Sequence, residues 1–222
     1  MHSMQERAPD GTPGRDGKPA LDANVVWHHA AVTAQARQAC ARQRGATIWL
    51  TGLSGSGKST IAVELERSLI ESGHLAFRLD GDNLRHGLNA GVGFDASGRA
   101  EAVRRAGEAS MLVAGAGAIA IVCMISPYAA DRDAVRARHA AEGVPFVEVH
   151  VDAPLQIAEQ RDPKGLYAKA RKGEIRGFTG IDDPYEAPRS PEVHLRTDQM
   201  NPQQCVAALF QAVLRASSVP AA

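Results

Sequence analysis

Long apolar stretches are missing from this 222-residue sequence. None approaches the roughly 20 residues that cross a bilayer, so no membrane partner is expected. The N-terminal residues lack the apolar core of a secretory leader, so export is not expected either. Cysteine is scarce. Cys40, Cys123 and Cys205 are widely separated, with no C-x-x-C pair and no Cys/His cluster of the kind that holds zinc. A disulfide framework is therefore not expected, and reduced thiols in a cytoplasmic protein are. Charge of one sign is not in excess, with 25 Lys+Arg against 25 Asp+Glu. That balance argues against a nucleic-acid-binding surface; an anionic ligand would need a local cluster of cations. Aromatic residues are few, with only five Phe, so a ring placed in a loop stands out.

What remains is ordinary for a globular domain: 44% apolar, 23% charged, and long enough to bury a full core. Residues 1–24 are rich in Pro, Gly and charge and read as a disordered extension; residues 25–222 read as one domain. Within it strands and helices alternate. A helix is expected over 27–44 with Gly45 as its stop, then a buried strand "ATIWLT" over 46–51. Next come a helix carrying Ile61, Leu65 and Leu69 to Gly73, and a strand over 74–80. An Ala-rich helix over about 99–116 precedes the strand "AIAIVCMIS" over 118–126. A helix over about 128–142, a strand over 145–151 and a helix from 153 follow. A short strand at 192–195 leads to a last helix capped by Asn201 with Pro202 in its first turn. This order predicts an α/β three-layer sandwich around a mainly parallel five-stranded sheet, with ligands at the carboxyl ends of the strands. Between about 161 and 190 the rhythm breaks into a segment dense in Gly, Pro and cations, which reads as a mobile lid over an anion.

The strongest motif is Gly52-Leu53-Ser54-Gly55-Ser56-Gly57-Lys58-Ser59, followed by Thr60. It fits G-x-x-x-x-G-K-[ST] between a buried strand and an amphipathic helix. Glycines let backbone N–H groups wrap phosphates, Lys58 reaches the β- and γ-phosphates, and the Ser59 hydroxyl is placed to ligate Mg²⁺. The Lys-Ser pair, without G-x-G-x-x-G, points to a nucleoside triphosphate over a dinucleotide. The third strand ends in Ser126 with no carboxylate, so the acids nearest the metal are Asp80 and Asp82, with Gly81 allowing a tight turn between them. Asp80 is the expected metal partner. Arg85 follows within reach of an anionic acceptor. Phe94 and Phe178 are loop rings able to sandwich a planar base or to serve local packing. Arg99, Arg104 and Arg105 cannot all reach one ligand, and a solvated face is the default reading for at least one of them. Ser126, before Pro127, reads as a helix N-cap that also faces the cleft.

Taken together, "TIWLTGLSGSGKSTIAVELE", "RLDGDNLRHGLN", "GVGF", "ISPY", "DRD", "EQRDPKGLYAKAR" and "FTGIDDPYEAPRSPEVHL", with "WHH" at 27–29, resemble the adenylylsulfate kinase family from about Asn24 to Arg215. The resemblance implies a P-loop kinase fold. It also implies transfer of the γ-phosphoryl of MgATP to the 3′-hydroxyl of adenosine 5′-phosphosulfate (APS), giving 3′-phosphoadenosine 5′-phosphosulfate (PAPS). On this sequence it implies that Asp82, Asn83 and Arg85 hold the acceptor and that Phe94 and Phe178 clamp its adenine. Arg99, Ile125, Ser126, Lys164 and Gly177 complete the pocket. Lys58 and Mg²⁺ supply the electrostatics, and Asp82 orients or deprotonates the hydroxyl. A phosphoserine at Ser126 also comes with the resemblance, although direct in-line transfer needs no covalent intermediate. Two departures touch the acceptor side. Gly98 and Ala102 stand where the family commonly has Asp and Asn, and Ala129-Ala130 replaces a cationic pair after "ISPY". The residues alone leave open a kinase for another small hydroxyl acceptor, or a nucleotide-binding module without turnover. A homodimer, with the N-terminal helix packed across a partner, is compatible with the sequence.

Overall fold

The computed structural model describes residues 24–26, 28 and 31–219. It divides into two units, residues 1–33 and 34–222, and every element below belongs to the second. The extension read over 1–24 lies outside the described residues except for its last position.

The first helix, α1, spans only Ala34–Ala41. Residues 31–33, read as helical, are not, and 27, 29 and 30 lie outside the described residues. The reason is local: "AQARQACA" consists mostly of strong helix formers, whereas Val32 and Thr33 before it are β-branched. The stop is not Gly45 but Arg42, at φ 54. Gly45 serves a different need, since a Cβ there would lie 1.9 Å from the Ala114 carbonyl oxygen. Only a residue without a side chain lets the chain pass that close on its way into the sheet.

Strand β1 (Ala46–Thr51) is buried at all six positions. It is followed by α2 (Lys58–Glu71), β2 (Ala76–Asp80), the short α3 (Gly81–Leu84), α4 (Ala96–Gly115) and β3 (Ile119–Cys123). Then come α5 (Ala129–Ala141), β4 (Phe146–Asp152), α6 (Leu155–Arg161), α7 (Leu166–Arg171), β5 (Val193–Arg196) and α8 (Pro202–Ser217). The strands form one parallel sheet in the order β2-β3-β1-β4-β5. The alternating side-chain directions of β1 split the core in two. Ile48 and Leu50 pack with Ile61, Leu65 and Leu69 of α2 and Leu209 and Val213 of α8. Trp49 points the other way, to Val103 of α4, Val122 of β3 and Val135 of α5. Helices thus cover both faces of a three-layer α/β sandwich. Helix α8 starts at the expected Asn201 cap, with Gln204 completing a reciprocal capping box.

The chain leaves β1 toward β2 on one side and leaves β3 toward β4 on the other. The crevice at the carboxyl ends of β1 and β3 is therefore the switch point where such sheets bind ligands. Three local readings change here. The 161–190 segment contains a helix, α7, held by Tyr167 and Ala170 packing beside Phe178. Ser126 does not cap α5: the capping position is Tyr128, and the first helical N–H, that of Ala129, is satisfied by the distant Glu186 carboxylate at 2.7 Å. Gly81 makes no tight turn. It opens α3, whose N-terminus is capped by the Asp80 side chain, and a Cβ on it would approach the Met124 side chain to 3.1 Å.

Candidate active site

The loop between β1 and α2 is held open from outside. The Tyr167 hydroxyl donates to the Ser54 carbonyl at 3.0 Å, and Thr197 Oγ1 donates to that of Ser56 at 2.9 Å. Arg161 reaches the Gly55 carbonyl at 3.4 Å. Because C=O and N–H of a peptide plane point in opposite directions, fixing the carbonyls outward turns the amides inward. Gly55 permits the path: its φ is +74°, and a Cβ would lie 2.6 Å from the Ala158 carbonyl oxygen. Lys58 begins α2 and is only 9% exposed. Its ammonium donates to the Gly52 and Leu53 carbonyls at 2.9 and 2.7 Å and lies 3.5 Å from Ser56 Oγ. Burial pulls its pKa down to about 8; Lys164 adds to that, while Cys123, Asp80 and Asp82 oppose it. Ser59 and Thr60 are exposed on the first turn of α2.

Asp80 ends β2 beside this cradle. Burial alone would raise its carboxyl, but hydrogen bonds from Cys123, the Asp82 N–H and Ser59, with the Arg78 charge, hold it below the ordinary value. Arg78 contacts it at 3.1 Å. The Cys123 thiol donates to it at 3.1 Å and is itself pushed up to about 12 by burial and by the Asp80 charge. Two hard oxygen donors, Ser59 and Asp80, thus lie together next to Lys58. Asp82 is more exposed and pairs with Lys164. Asn83 is exposed beside it.

The opposite wall comes from the start of α4 and from residues 177–183. Arg85 lies over the Phe94 ring, 3.7 Å from its centroid, and donates to the Val92 carbonyl at 2.9 Å. Burial and the neighbouring Arg99 charge lower its pKa. Arg99 donates to the Phe94 carbonyl at 2.6 Å, to the Gly177 carbonyl and to Thr179 Oγ1, and lies 3.5 Å from Asp183. One guanidinium therefore joins the two loops that carry the rings. The rings differ in setting. Phe94 is 66% exposed, whereas Phe178 is 8% exposed and packed edge-on against Tyr167 at 5.0 Å. Neither lines the cavity of about 580 Å³ beside the loop, which is formed by Leu53, Leu155 and residues 180–185. Gly98 accounts for one departure: a Cβ there would lie 2.6 Å from the Gly93 carbonyl oxygen, so the loop before α4 is folded closely onto it. Ala102 is buried, and the equally buried Asn89 points its amide at the Ala102 carbonyl, 3.4 Å away.

Ser126 stands at the end of β3 with φ 40, a left-handed conformation that is costly before proline. Three contacts enforce it. Trp49 Nε1 donates to Ser126 Oγ at 3.1 Å, Arg132 donates to the Ser126 carbonyl at 2.7 Å, and Thr51 donates to the Ile125 carbonyl at 2.7 Å. Arg132 is 2% exposed and balanced by Glu148 at 2.8 Å. It also donates to the Glu186 carbonyl at 2.7 Å.

Sequence reading singles out the loop, the acids and the rings and passes over the residues that brace them: Tyr167, Arg161 and Thr197 behind the loop, and Trp49 and Arg132 behind Ser126. The stretch "RDPKGLY" held two of these signals, Arg161 and Tyr167, beside the Lys164 that was chosen.

Known proteins are similar to this chain in sequence and fold. A family profile described as adenylylsulphate kinase matches residues 44–196. The adenylyl-sulfate kinase of Saccharomyces cerevisiae is 53% identical over 188 residues, covering 85% of this chain and 93% of its own. That of Aeromonas salmonicida is 51% identical over 193 residues, covering 87% and 95%. The solved structure of the Mycobacterium tuberculosis APS kinase in complex with AMPPNP and APS superposes with a TM-score of 0.72 at 50% identity. It covers 78% of this chain and 97% of that one. With a family profile matched over residues 44–196 and relatives about half identical over more than four-fifths of its length, the chain belongs to the adenylylsulphate kinase family.

Proposed function

We infer that this chain catalyses the ATP-dependent phosphorylation of the 3′-hydroxyl of APS, yielding PAPS. The observation that carries the reading is the buried Lys58 ammonium in its phosphate loop, in a chain 50% identical to an enzyme solved with AMPPNP and APS. Lys58 and the inward amides hold the triphosphate. Ser59 and Asp80 suit a magnesium ion, which prefers oxygen donors. When bound with ATP, that ion neutralises charge on the transferring group. Arg85, Arg99 and Lys164 face the anionic acceptor, with Phe94 and Phe178 on its adenine. Asn83, Ile125, Ser126 and Gly177 complete that pocket.

Asp82 accepts the 3′-hydroxyl proton and aims the oxygen. A bond forms from that oxygen to the γ-phosphorus, and the bond to the bridging oxygen breaks, leaving ADP. Transfer is direct. The Ser126 hydroxyl is buried and engaged by Trp49, which suits a wall of the pocket better than a phosphate carrier. The free thiols of Cys40, Cys123 and Cys205 suit a reducing, cytoplasmic setting. A coupled assay comparing APS with gluconate, shikimate and nucleosides tests the substrate. ADP release is expected with APS alone; turnover of another acceptor with none of APS would overturn the reading.

A further inference from the structure

The carboxyl edge of β4 and β5 carries a cluster that the transfer reaction does not use. His150 and Asp152 are two apart on β4 and so share a face, and His194 is the register partner of His150 on β5. The two imidazoles lie face to face, with centroids 5.0 Å apart and planes 9° apart. His194 Nε2 is 2.9 Å from Asp152 Oδ2. One donor atom from each of the three residues falls within 4.8 Å of the others. Two ligands at i and i+2 on one strand, with a third across the ladder, converge because neighbouring strands run only about 4.8 Å apart.

We propose that His150, Asp152 and His194 bind one divalent transition-metal ion of the zinc, cobalt or nickel class, at a site separate from the phosphate cradle. Two imidazoles and a carboxylate are the donor mixture such ions take, while magnesium and calcium favour all-oxygen sets. Metal–ligand bonds of about 2.0–2.2 Å need the donors closer than they stand, and rotation of the half-exposed His194 ring supplies the difference. His150 is 9% exposed, and the half-exposed His194 leaves an entry path. Three protein ligands leave the remaining position to water. Position gives the ion a consequence. His150 also stacks on Tyr185, whose hydroxyl is 3.1 Å from Thr51 at the end of β1. The Asp152 carbonyl accepts from the Thr197 N–H at 2.8 Å, and Thr197 in turn holds the phosphate loop at Ser56. An ion here pins the sheet edge that backs the loop.

The test is a Co²⁺ titration of the untagged full chain, followed by its visible d–d absorption. Excess Mg²⁺ is present to fill oxygen sites, and Cys40→Ser is carried throughout to remove the exposed thiol. The expected result is one saturating equivalent, weakened at least about tenfold in His194→Ala and in Asp152→Asn. The ion should also raise the thermal midpoint of the parent chain and not of His194→Ala. A His28→Ala/His29→Ala chain should bind as the parent does. His194 is half-exposed, and urea unfolding of His194→Ala matched to the parent makes a loss of binding interpretable. No Co²⁺ uptake by the parent, equal uptake by His194→Ala, or uptake abolished only by the His28/His29 pair would each overturn the proposal.

Discussion

Taking Lys58 out of water weakens its hold on its proton, and the phosphate loop then depends on pH through that one group. The ammonium form binds phosphate, and a bound triphosphate raises its pKa again. Binding is therefore complete below the free value of about 8 and weakens as pH rises through it. Calorimetric titration with a non-hydrolysable ATP analogue should give a constant affinity up to about pH 7.5. It should then decline, approaching tenfold per pH unit, the slope of a single proton. A flat profile to about pH 9.5 would contradict this role. Lys58→Ala should lower turnover by about 10³-fold or more while urea unfolding stays cooperative. Ser126 is the converse case at this scale. If transfer is direct, Ser126→Ala keeps turnover within about tenfold, because what is lost is one contact with Trp49. Complete inactivity with a normal fold would instead favour a phosphoserine step.

Among the elements, β1 was fully legible in the sequence: "ATIWLT" is too short and too apolar for anything but a buried strand, and its bounds agree with the structure. The capped start of α8 was equally readable, because Asn201, Pro202 and Gln204 are local signals. Long-range contacts were not. Ser126 looked like a cap because a Ser-Pro pair before a helix usually is one, whereas Glu186, 57 residues beyond Ala129, supplies the acceptor instead. Helix α7 was hidden in a Gly- and cation-rich run because it is six residues long and depends on Tyr167 docking beside Phe178 and beneath the phosphate loop. The His150–Asp152–His194 cluster was invisible for the same reason, since strand register joins residues 44 positions apart. Arg132 belongs at this scale because it ties β3, α5 and the 186 segment together from inside the protein. Arg132→Ala leaves the buried Glu148 carboxylate with only Arg136, at 3.2 Å, and frees the Ser126 and Glu186 carbonyls, so it should cost about 3 kcal/mol in urea unfolding. A loss below about 1 kcal/mol would show that the network is not holding the Ser126 turn.

At the scale of the molecule, the two halves of the site differ in how far the sequence revealed them. The phosphate half is a contiguous motif on one turn, so spacing alone located it. The proposed acceptor half draws on α3, the start of α4 and residues 177–183, joined by Arg99; Arg85 and the two loop rings stood out by residue type, whereas Arg99, Ile125, Lys164 and Gly177 came only with the family resemblance. Arg85 tests that half. It lies on Phe94 beside Arg99, so Arg85→Ala should raise the KM for APS by about tenfold or more with kcat less affected. An unchanged KM would place Arg85 outside the pocket. The central claim, however, is about where the phosphoryl group goes. The most direct measurement supplies ATP carrying ¹⁸O on its γ-phosphoryl group with APS and locates the isotope-shifted phosphorus in the product by ³¹P NMR. The account predicts a labelled phosphate monoester on the ribose 3′-oxygen, formed one for one with ADP. Label appearing as inorganic phosphate, or on any other atom, would contradict it.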